Sequence, residues 1–471
     1  MLKKFFTLSI FIFVFLLFAP EISAADYYIS PSGSDSNSGS LSSPWRTLEK
    51  AGAGAEAGDT VYIREGVYNE MLHPQNSGTA NAYITFVNYN NEEVTIDGTG
   101  IALQWQGLID VQDVSYIKVV GLRVINSTDD GIYVKNADHV EIRDNYTYDT
   151  YQSGIGVWSS TNVIVDGNEI EFANNGGHNE NLSVDGSDNI IISNNNVHHG
   201  FNSPYGGEGI NMKNGTTNTK VFGNVVHDIP KLAFGVDAWQ KHTYNIEIYN
   251  NIAYNARWGF ILESEQGGLA EDLWVYNNLA YNIDEAGYAL PEWGIAGPVD
   301  KVYYINNVAY DCRYGFWSRH ANVSNVVIRN NIFNQIRSAP AINLYSGTEN
   351  EFTIDYNLLT DALFIDASSA NFRLQPGSPA IDAGSLQFAP DTDFDGNARP
   401  QGAGVDIGAF EYGSANRPGD ANADGKVDGI DYVIWLSHYN QNTANAASDG
   451  DFNSDNTVDG IDYVIWLQNY N

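Results

Sequence analysis

The stretch VYYINNVAYDCRYGFWSR (302–319) is one unit of a repeat that extends from about residue 131 to residue 357. In each unit a hydrophobic strand ends in an asparagine, followed in most units by an aliphatic residue, and a second strand, opened by glycine in most units, comes next. The unit recurs about every 23 to 29 residues. Copies of the first strand are VEIRDNY (140–146), VIVDGNE (163–169), KVFGNVV (220–226), IEIYNNI (246–252), LWVYNNL (273–279) and VVIRNNI (326–332). Two short strands per unit at this period are typical of an all-β stacked coil, a solenoid.

Alternation along each strand separates side chains that point into the coil from those that point outward. In the glycine-led strands the predicted core consists of apolar pairs, from Ile132 and Val134 to Ile342 and Leu344. The asparagines are predicted to stack at one corner, where their amides satisfy turn backbone groups. They are Asn145, Asn168, Asn195, Asn224, Asn251, Asn278, Asn307 and Asn331. Three residues further on, a second column is predicted to be packing. It consists of Tyr148, Glu171, His198, His227, Tyr254, Tyr281, Tyr310 and Asn334.

The outward positions of the glycine-led strands hold the candidate site. Alternation counted from the leading glycine places Asp237 and Glu263 on adjacent coils, offset by two residues, with about 7–8 Å between their backbone positions. Because stacked strands lie about 4.8 Å apart, polar groups on these coils converge. The candidate catalytic residues are Asp237, Glu263 and Lys213. The candidate substrate-binding residues are Asp185, Glu208, Asn211, Trp239, His242, Glu265 and Arg319.

Carboxylates, a lysine and outward-facing tryptophans on one strip suit a sugar chain. Tryptophan stacks on the apolar face of a pyranose, and two carboxylates act as acid and base in glycoside hydrolysis. The sequence therefore favours cleavage of a polysaccharide by hydrolysis, with Asp237 and Glu263 around one water. Two alternatives remain open here: a non-catalytic carbohydrate-binding surface protein, and a solvated sheet face of ordinary cross-strand pairs.

Composition restricts the compartment and the partners. Residues 1–25 form a predicted secretory signal, with Lys3 and Lys4 before an apolar stretch over Phe5–Phe18 that is too short to span a membrane. The mature chain is therefore expected outside the cell, without membrane insertion. A net charge of −35 argues against nucleic acid as a partner, and against a polyanionic substrate unless calcium bridges the two.

The chain divides into a long coil and a short module. The predicted coil covers residues 26–413, with an N-terminal cap at 26–100 and a C-terminal cap at 371–413. A linker is predicted at 414–418, before a separate module at 419–471.

The C-terminal module contains two near-duplicate acidic loops, GDANADGKVDGIDYVIWLSHYN (419–440) and GDFNSDNTVDGIDYVIWLQNYN (450–471). Each loop has oxygen-bearing side chains at positions one, three, five, nine and twelve and runs into an apolar helix, as in EF-hand calcium loops. The predicted ligands are Asp420, Asn422, Asp424, Asp428, Asp431, Asp451, Asn453, Asp455, Asp459 and Asp462. The module is therefore predicted to be a small α-helical domain that binds two Ca²⁺ ions.

The long coil resembles a right-handed parallel β-helix of the pectate-lyase type. Its opening, YYISPSGSDSNSGS (27–40) with GDTVYIREGVYNE (58–70), is similar to family-nine polysaccharide lyases, and its closing LQPGSPAIDAG (374–384) and GVDIGAFEY (404–412) resemble a segment of related secreted proteins. The resemblance implies a further alternative, a calcium-dependent polysaccharide lyase of the pectate type. It would hold a calcium ion in a groove on the β-helix face, with Glu208 and Asp237 as ligands and a lysine as base. The chain departs from that pattern, because Ala233 and Phe234 stand where paired aspartates are expected and Glu263 stands where a lysine is expected.

The C-terminal module resembles a dockerin of the cellulosome type. That resemblance implies a cohesin partner on a scaffold or cell surface, and hence a cellulosome-like complex. At loop positions ten and eleven the chain has Gly429-Ile430 and Gly460-Ile461, where a cellulosomal dockerin usually carries residues that contact the partner.

Overall fold

A computed structural model describes residues 24–201, 206–413, 419–422, 427–443, 446–453 and 455–470. Within these residues, a β-solenoid of about 11 turns contains two long parallel sheets. The predicted signal at 1–25 lies almost wholly outside the described residues, and so do the predicted linker at 414–418 and Asp424.

The first sheet has 13 strands within the described residues. They are Asp26–Ile29, Thr60–Ile63, Ile84–Asn88, Ser115–Val120, Asp138–Arg143, Thr161–Asp166, Asp188–Ser193, Thr217–Phe222, Thr243–Tyr249, Ala270–Tyr276, Val299–Ile305, Val323–Arg329 and Phe352–Asp355. From Asp138–Arg143 onward, each of these strands ends two residues before the corner asparagine.

The second sheet has 17 strands in the described chain and forms the other two sides of the coil. In the early coils each side has its own strand: Gly66–Tyr68, Val94–Asp97, Gly107–Gln112, Arg123–Ile125, Asp130–Lys135, Tyr146–Tyr148, Ile155–Trp158, Glu169–Glu171, Leu182–Asp185, Asn196–His198 and Ile210–Lys213. In later coils the two sides join into long strands, Val225–Asp237, Ile252–Glu263, Leu279–Leu290 and Val308–Ser318, before Ile332–Asn334 and Ile342–Asn343.

The asparagine ladder occupies the predicted corner. All eight predicted asparagines are buried. Each side-chain oxygen accepts a hydrogen bond from the backbone N–H at the corner position one coil earlier. The donor is Leu122 for Asn145 and an asparagine for the others, as between Asn251 Oδ1 and Asn224 N at 2.9 Å. The ladder continues one coil further than predicted, because Asn331 N donates to Asn357 Oδ1. Coil-to-coil bonding of this kind uses every corner position and explains why the asparagine repeats.

The interior of the coil is apolar. Ile132, Val134, Phe260 and Leu262 have no exposed surface and belong to one continuous core cluster. Buried rings of successive coils stack, with Phe234 and Phe260 centroids 4.7 Å apart. The alternation predicted for the glycine-led strands is therefore confirmed for these residues.

The two ends of the solenoid are covered differently. A short helix, Leu48–Gly54, begins after Thr47, whose hydroxyl accepts Lys50 N at 3.1 Å, and it buries Leu48 and Ala51 on the first coil. Strands of both sheets already occur within 26–100. Near the other end, an antiparallel pair, Phe364–Asp366 and Asn371–Leu374, contributes to a second apolar cluster with coil residues.

Among the remaining elements, the C-terminal module contains two helices, Gly429–His438 and Gly460–Asn469, and a two-residue antiparallel pair, Gln441–Asn442 with Thr457–Val458. Single 3₁₀ turns occur at Tyr89–Asn91, Glu349–Glu351, Ala367–Ser369 and Ala446–Asp449. None of the helices in the described part of the chain has the length and apolar character that a membrane-spanning segment requires.

Candidate functional site

Four outward side chains on consecutive coils lie in one straight column. Asp185 pairs with Lys213, Lys213 with Asp237, and Asp237 with Glu263. Direct pairing in a parallel sheet separates neighbouring backbones by about 4.8 Å. The expected two-residue offset between Asp237 and Glu263, and the 7–8 Å that it implied, is therefore wrong.

The error arises from the glycine of GVDAW (235–239). In most coils the glycine precedes the first inward residue, and the prediction aligned Gly235 with Gly209. In the structure Phe234 pairs with Ile210, and Gly235 pairs with the outward Asn211. The reason is steric: a Cβ on residue 235 would lie 2.9 Å from the Asn211 side chain, so this outward position favours glycine, which has no side chain.

Lys213 is held by a carboxylate that the sequence analysis did not select. Its Nζ donates to Glu180 Oε1 at 2.8 Å and Oε2 at 2.7 Å. Burial alone would lower the pKa of Lys213, but the nearby carboxylates, that of Glu180 above all, outweigh burial and raise it. Lys213 is therefore a fixed cation at the centre of the outward surface around this column, which we call the groove.

Asp237 and Glu263 are both about 95% buried, yet their surroundings differ. Asp237 Oδ1 accepts the backbone N–H groups of Trp239 at 2.8 Å and Glu265 at 3.1 Å. Burial raises the pKa of Asp237, while these N–H groups and the charge of Lys213 act in the opposite direction.

Glu263 has no comparable support. Its Oε2 is buried and has no hydrogen-bond partner among the described residues. Burial raises the pKa of Glu263 well above its ordinary value, and the negative charge of Asp237 raises it further. The protonated form is therefore favoured more strongly at Glu263 than at Asp237, whose ionised form is stabilised by donors, and such a difference separates an acid from a base or nucleophile.

Glu208 and Glu265 extend the acidic strip. Glu208 lies 3.7 Å from Lys231 Nζ, and its side chain is 17% exposed. Burial, followed by the charge of Glu180, raises the pKa of Glu208 to about 7, although Lys231 opposes the shift. Burial and then the charge of Asp237 raise the pKa of Glu265. Glu208 therefore titrates near neutral pH, where proton transfer is most effective.

The structure brings most predicted site residues together, but not all of them. Trp239 lies beyond the end of its strand, 37% exposed, rather than in the column beside Lys213. His242 pairs with Glu271 at 3.0 Å at the edge of the first sheet, away from the column. Arg319 lies two coils beyond Glu263, with its guanidinium 5.4 Å from the Trp317 ring.

Glu180 was missed because it precedes its strand. It lies two residues before Leu182, the first inward residue of the strand, and Asp130 and Glu208 stand at the same place before Ile132 and Ile210. An acid two residues before the first inward residue recurs in three coils and is a signal in the sequence. It was missed because outward positions were counted only within the strands. Its carboxylate accepts a bond from the Ser183 hydroxyl as well as both Lys213 bonds.

Aromatic side chains continue the groove beyond Glu263. Trp258 lies 5.3 Å from Trp317 and 6.1 Å from Trp293, centroid to centroid. Together with Tyr314, they pack against a small apolar cluster on the outward side of the same sheet. Partly exposed indole faces beside carboxylates form a surface on which sugar rings can stack.

The two acidic loops of the C-terminal module are built alike. Asp431 accepts the N–H groups of Ala421 at 2.8 Å and Asp428 at 2.8 Å, and Asp462 makes the equivalent bonds to Phe452 and Asp459. The first and last acids of both loops are buried. An oxygen-only donor set that includes buried carboxylates fits Ca²⁺.

Comparison with known proteins places the groove within a matched region. A family model described as "Pel9A-like, right handed beta helix region" matches residues 27–268, slightly more than half of the chain. That region includes the coils that carry Asp185, Lys213, Asp237 and Glu263.

Two curated proteins match parts of the chain. An uncharacterised Bacillus subtilis protein, YwoF, is 42% identical over 139 residues, which are 27% of this chain and 30% of that protein. Pectate lyase PEL9 of Emericella nidulans is 31% identical over 169 residues, which are 33% of this chain and 41% of that protein. The chain thus spans less than half the length of these relatives.

Solved structures agree in fold. A complex of XylC with xylose aligns with a TM-score of 0.54 at 14% identity, over 82% of this chain and 98% of that one. The crystal structure of pectate lyase Pel9A aligns with a TM-score of 0.51 at 17% identity, over 83% and 97%.

Proposed function

The chain belongs to the Pel9A-like right-handed β-helix family, and on that premise we propose that it is a carbohydrate-active enzyme that cleaves polysaccharide chains in the groove around Asp237 and Glu263. The observation that carries the proposal is the direct pairing of two buried carboxyl groups. Donors support Asp237, whereas Glu263 Oε2 has no hydrogen-bond partner in the described part of the chain. Two carboxyl groups with separated proton affinities are the requirement for glycosidic bond cleavage.

In the proposed reaction Glu263 donates its proton to the glycosidic oxygen as the bond to the anomeric carbon breaks. Asp237 attacks the anomeric carbon and forms a covalent glycosyl intermediate. Water then hydrolyses this intermediate, and the proton of the water returns to Glu263. We assign Asp237 as nucleophile because backbone N–H groups stabilise its carboxylate and because its direct pairing with Glu263, without an offset, favours a short separation over one that leaves room for water.

Lys213 binds and orients groups in this proposal and does not act as a base. A lyase base must be neutral to take a proton, whereas the carboxylates around Lys213 raise its pKa and favour the charged form. Its ammonium group stabilises the ionised form of Asp237. This state of Lys213 is the reason to prefer hydrolysis to elimination.

The charge of the groove favours a neutral glycan. The acidic side chains of Asp185 and Asp237 belong to the column, and Glu208 and Glu265 lie near it. Lys213, the central cation of the column, is already paired with Glu180. A polyuronate would meet like charges along this strip. Trp239 and the tryptophans beyond Glu263 instead offer stacking surfaces that are independent of charge.

A calcium-dependent lyase is the second candidate, because one relative is a pectate lyase. In that case Glu208 and Asp237 would hold a calcium ion that bridges the groove to a uronate. The donor set contains carboxylate oxygens, but Asp237 Oδ1 already accepts two backbone N–H groups and Lys213 adds a positive charge beside it.

We further propose export and a calcium-dependent tether. Two helices of the C-terminal module present matching apolar side chains to solvent, each between 47% and 61% exposed. They are Ile430, Val433, Leu436, Ile461, Val464 and Leu467. Exposed apolar stripes of this kind mark a docking surface, and a cohesin domain on a scaffold or cell surface is the proposed partner.

A substrate screen separates the candidates. The full-length protein is incubated with neutral and uronate polysaccharides, with and without a chelator, while reducing ends and ultraviolet absorbance are followed together. Reducing ends without absorbance on a neutral glycan support hydrolysis. Chelator-sensitive absorbance identifies the lyase, and binding without either signal identifies a non-catalytic carbohydrate-binding protein.

A further inference from the structure

Glu171, His198 and His199, which we call the histidine cluster, lie outside the groove. They occupy the outward side of the short strands Glu169–Glu171 and Asn196–His198, on a different side of the coil from Asp237. One nitrogen or oxygen from each of the three residues lies within 4.8 Å of the others. From the sequence, the column that contains Glu171 and His198 is expected to have only a packing role.

The backbone at His199 creates the cluster. Successive side chains in a strand point to opposite faces, so neighbouring histidines ordinarily diverge. His199 follows the end of the strand and adopts a left-handed conformation with φ of 53°. As a result its Nδ1 lies 2.6 Å from His198 Nδ1, and the two nitrogens share one small space.

The surrounding side chains orient the cluster as they do around bound metals. His198 Nε2 lies 3.2 Å from Glu169 Oε1, so its Nε2–H donates to a carboxylate and leaves the Nδ1 lone pair facing His199. Stacking on the His227 ring, 4.9 Å away, fixes the plane of the imidazole. The Tyr146 hydroxyl donates to Glu171 in the same way. A carboxylate behind a histidine and a donor behind a carboxylate are typical of the outer shell of metal sites.

We propose that Glu171, His198 and His199 bind a divalent transition metal ion such as Zn²⁺. Two imidazoles and one carboxylate match the borderline character of zinc and not that of calcium, which takes oxygen ligands. His199 is exposed, so a fourth position remains open to water. The ion would join two successive coils at this corner, since Glu171 and His198 are register partners.

Zinc binding to the full-length protein, stripped of metal and then saturated with calcium, tests this site. Calorimetry with metal analysis is expected to find one zinc ion per chain, and Co²⁺ in its place should give the visible absorption of a nitrogen-ligated ion. His199→Ala and Glu171→Gln should each weaken zinc binding at least tenfold. The matched control is His139→Ala, because His139 is also left-handed, with φ of 58°, and pairs with Asp138 at 2.8 Å.

The outcomes are distinct. Zinc binding that is lost in both cluster variants and kept in His139→Ala supports the site. No zinc binding by the wild type, or unchanged affinity in either cluster variant, overturns it. If His199→Ala proves unfolded by circular dichroism, Glu171→Gln and the Co²⁺ spectrum of the wild type decide the question. Neither readout depends on polysaccharide cleavage.

Discussion

Replacing Asn251 with alanine tests how the coils are held together. Its amide nitrogen donates to Val221 O at 2.8 Å and Asn278 Oδ1 at 3.0 Å, and its Oδ1 accepts the backbone N–H of Asn224 at 2.9 Å. The side chain is fully buried. Asn251→Ala removes all these bonds from one coil and leaves the Asn224 N–H without its acceptor.

The magnitude follows from the bonds that are lost. A typical net hydrogen bond contributes about 1 kcal/mol, and a buried group left unsatisfied costs about 1–3 kcal/mol. With several bonds broken and one buried N–H left without a partner, the free energy of unfolding should fall by about 3 kcal/mol. The loss should be larger than that of most single substitutions, which centre near 1 kcal/mol.

Equilibrium unfolding in guanidinium, followed by circular dichroism, measures this change from the shift in midpoint. The control is Asn322→Ala, because Asn322 is exposed and should change stability by no more than about 0.5 kcal/mol. A loss below about 1 kcal/mol in Asn251→Ala, or equal losses in the two variants, would refute the role given to the ladder.

Two further predictions concern charge. Burial raises the pKa of Glu208 from 4.5 to about 7, so the folded state holds this proton more tightly than the unfolded state. The protonated Glu208 side chain therefore contributes up to ~3 kcal/mol to the free energy of unfolding. This contribution is complete below about pH 4.5 and is lost as the pH rises through 7. Glu208→Gln should flatten the unfolding free energy across that window, and an unchanged slope would contradict the assignment. Calorimetric titration should find two calcium ions per chain in the C-terminal module and one in Asp431→Asn or Asp462→Asn; equal stoichiometry in all three proteins would exclude these loops.

The repeat made the fold predictable because each coil satisfies the same physical demands. Apolar residues such as Ile132 and Val134 must face the interior, and a corner asparagine must satisfy backbone groups in every coil. Both demands leave a fixed spacing in the sequence, so the core and the ladder were identified without coordinates.

The site was only partly predictable because it departs from the repeat. Gly235 occupies an outward position, so alignment on glycines shifted Asp237 by two residues. Glu180 lies before its strand, and its bonds to Lys213 connect coils through side chains that strand alternation does not place. The left-handed backbone at His199 does follow the repeat, because the residue after the second column is left-handed in each coil from Asp149 to Gln335, but alternation within the strands does not place the side chains that meet there.

Asp237 and Glu263 are proposed to cleave a glycan together. This is tested by measuring the reducing ends that three full-length proteins, the wild type, Asp237→Asn and Glu263→Gln, release from a polysaccharide that the wild type cleaves. We expect the rate of release to fall at least a hundredfold in each variant, because each carboxyl is required for one step, while the circular dichroism spectrum stays unchanged. The product of the wild type should retain the anomeric configuration by nuclear magnetic resonance. Full activity in either folded variant would show that its carboxyl group is not catalytic.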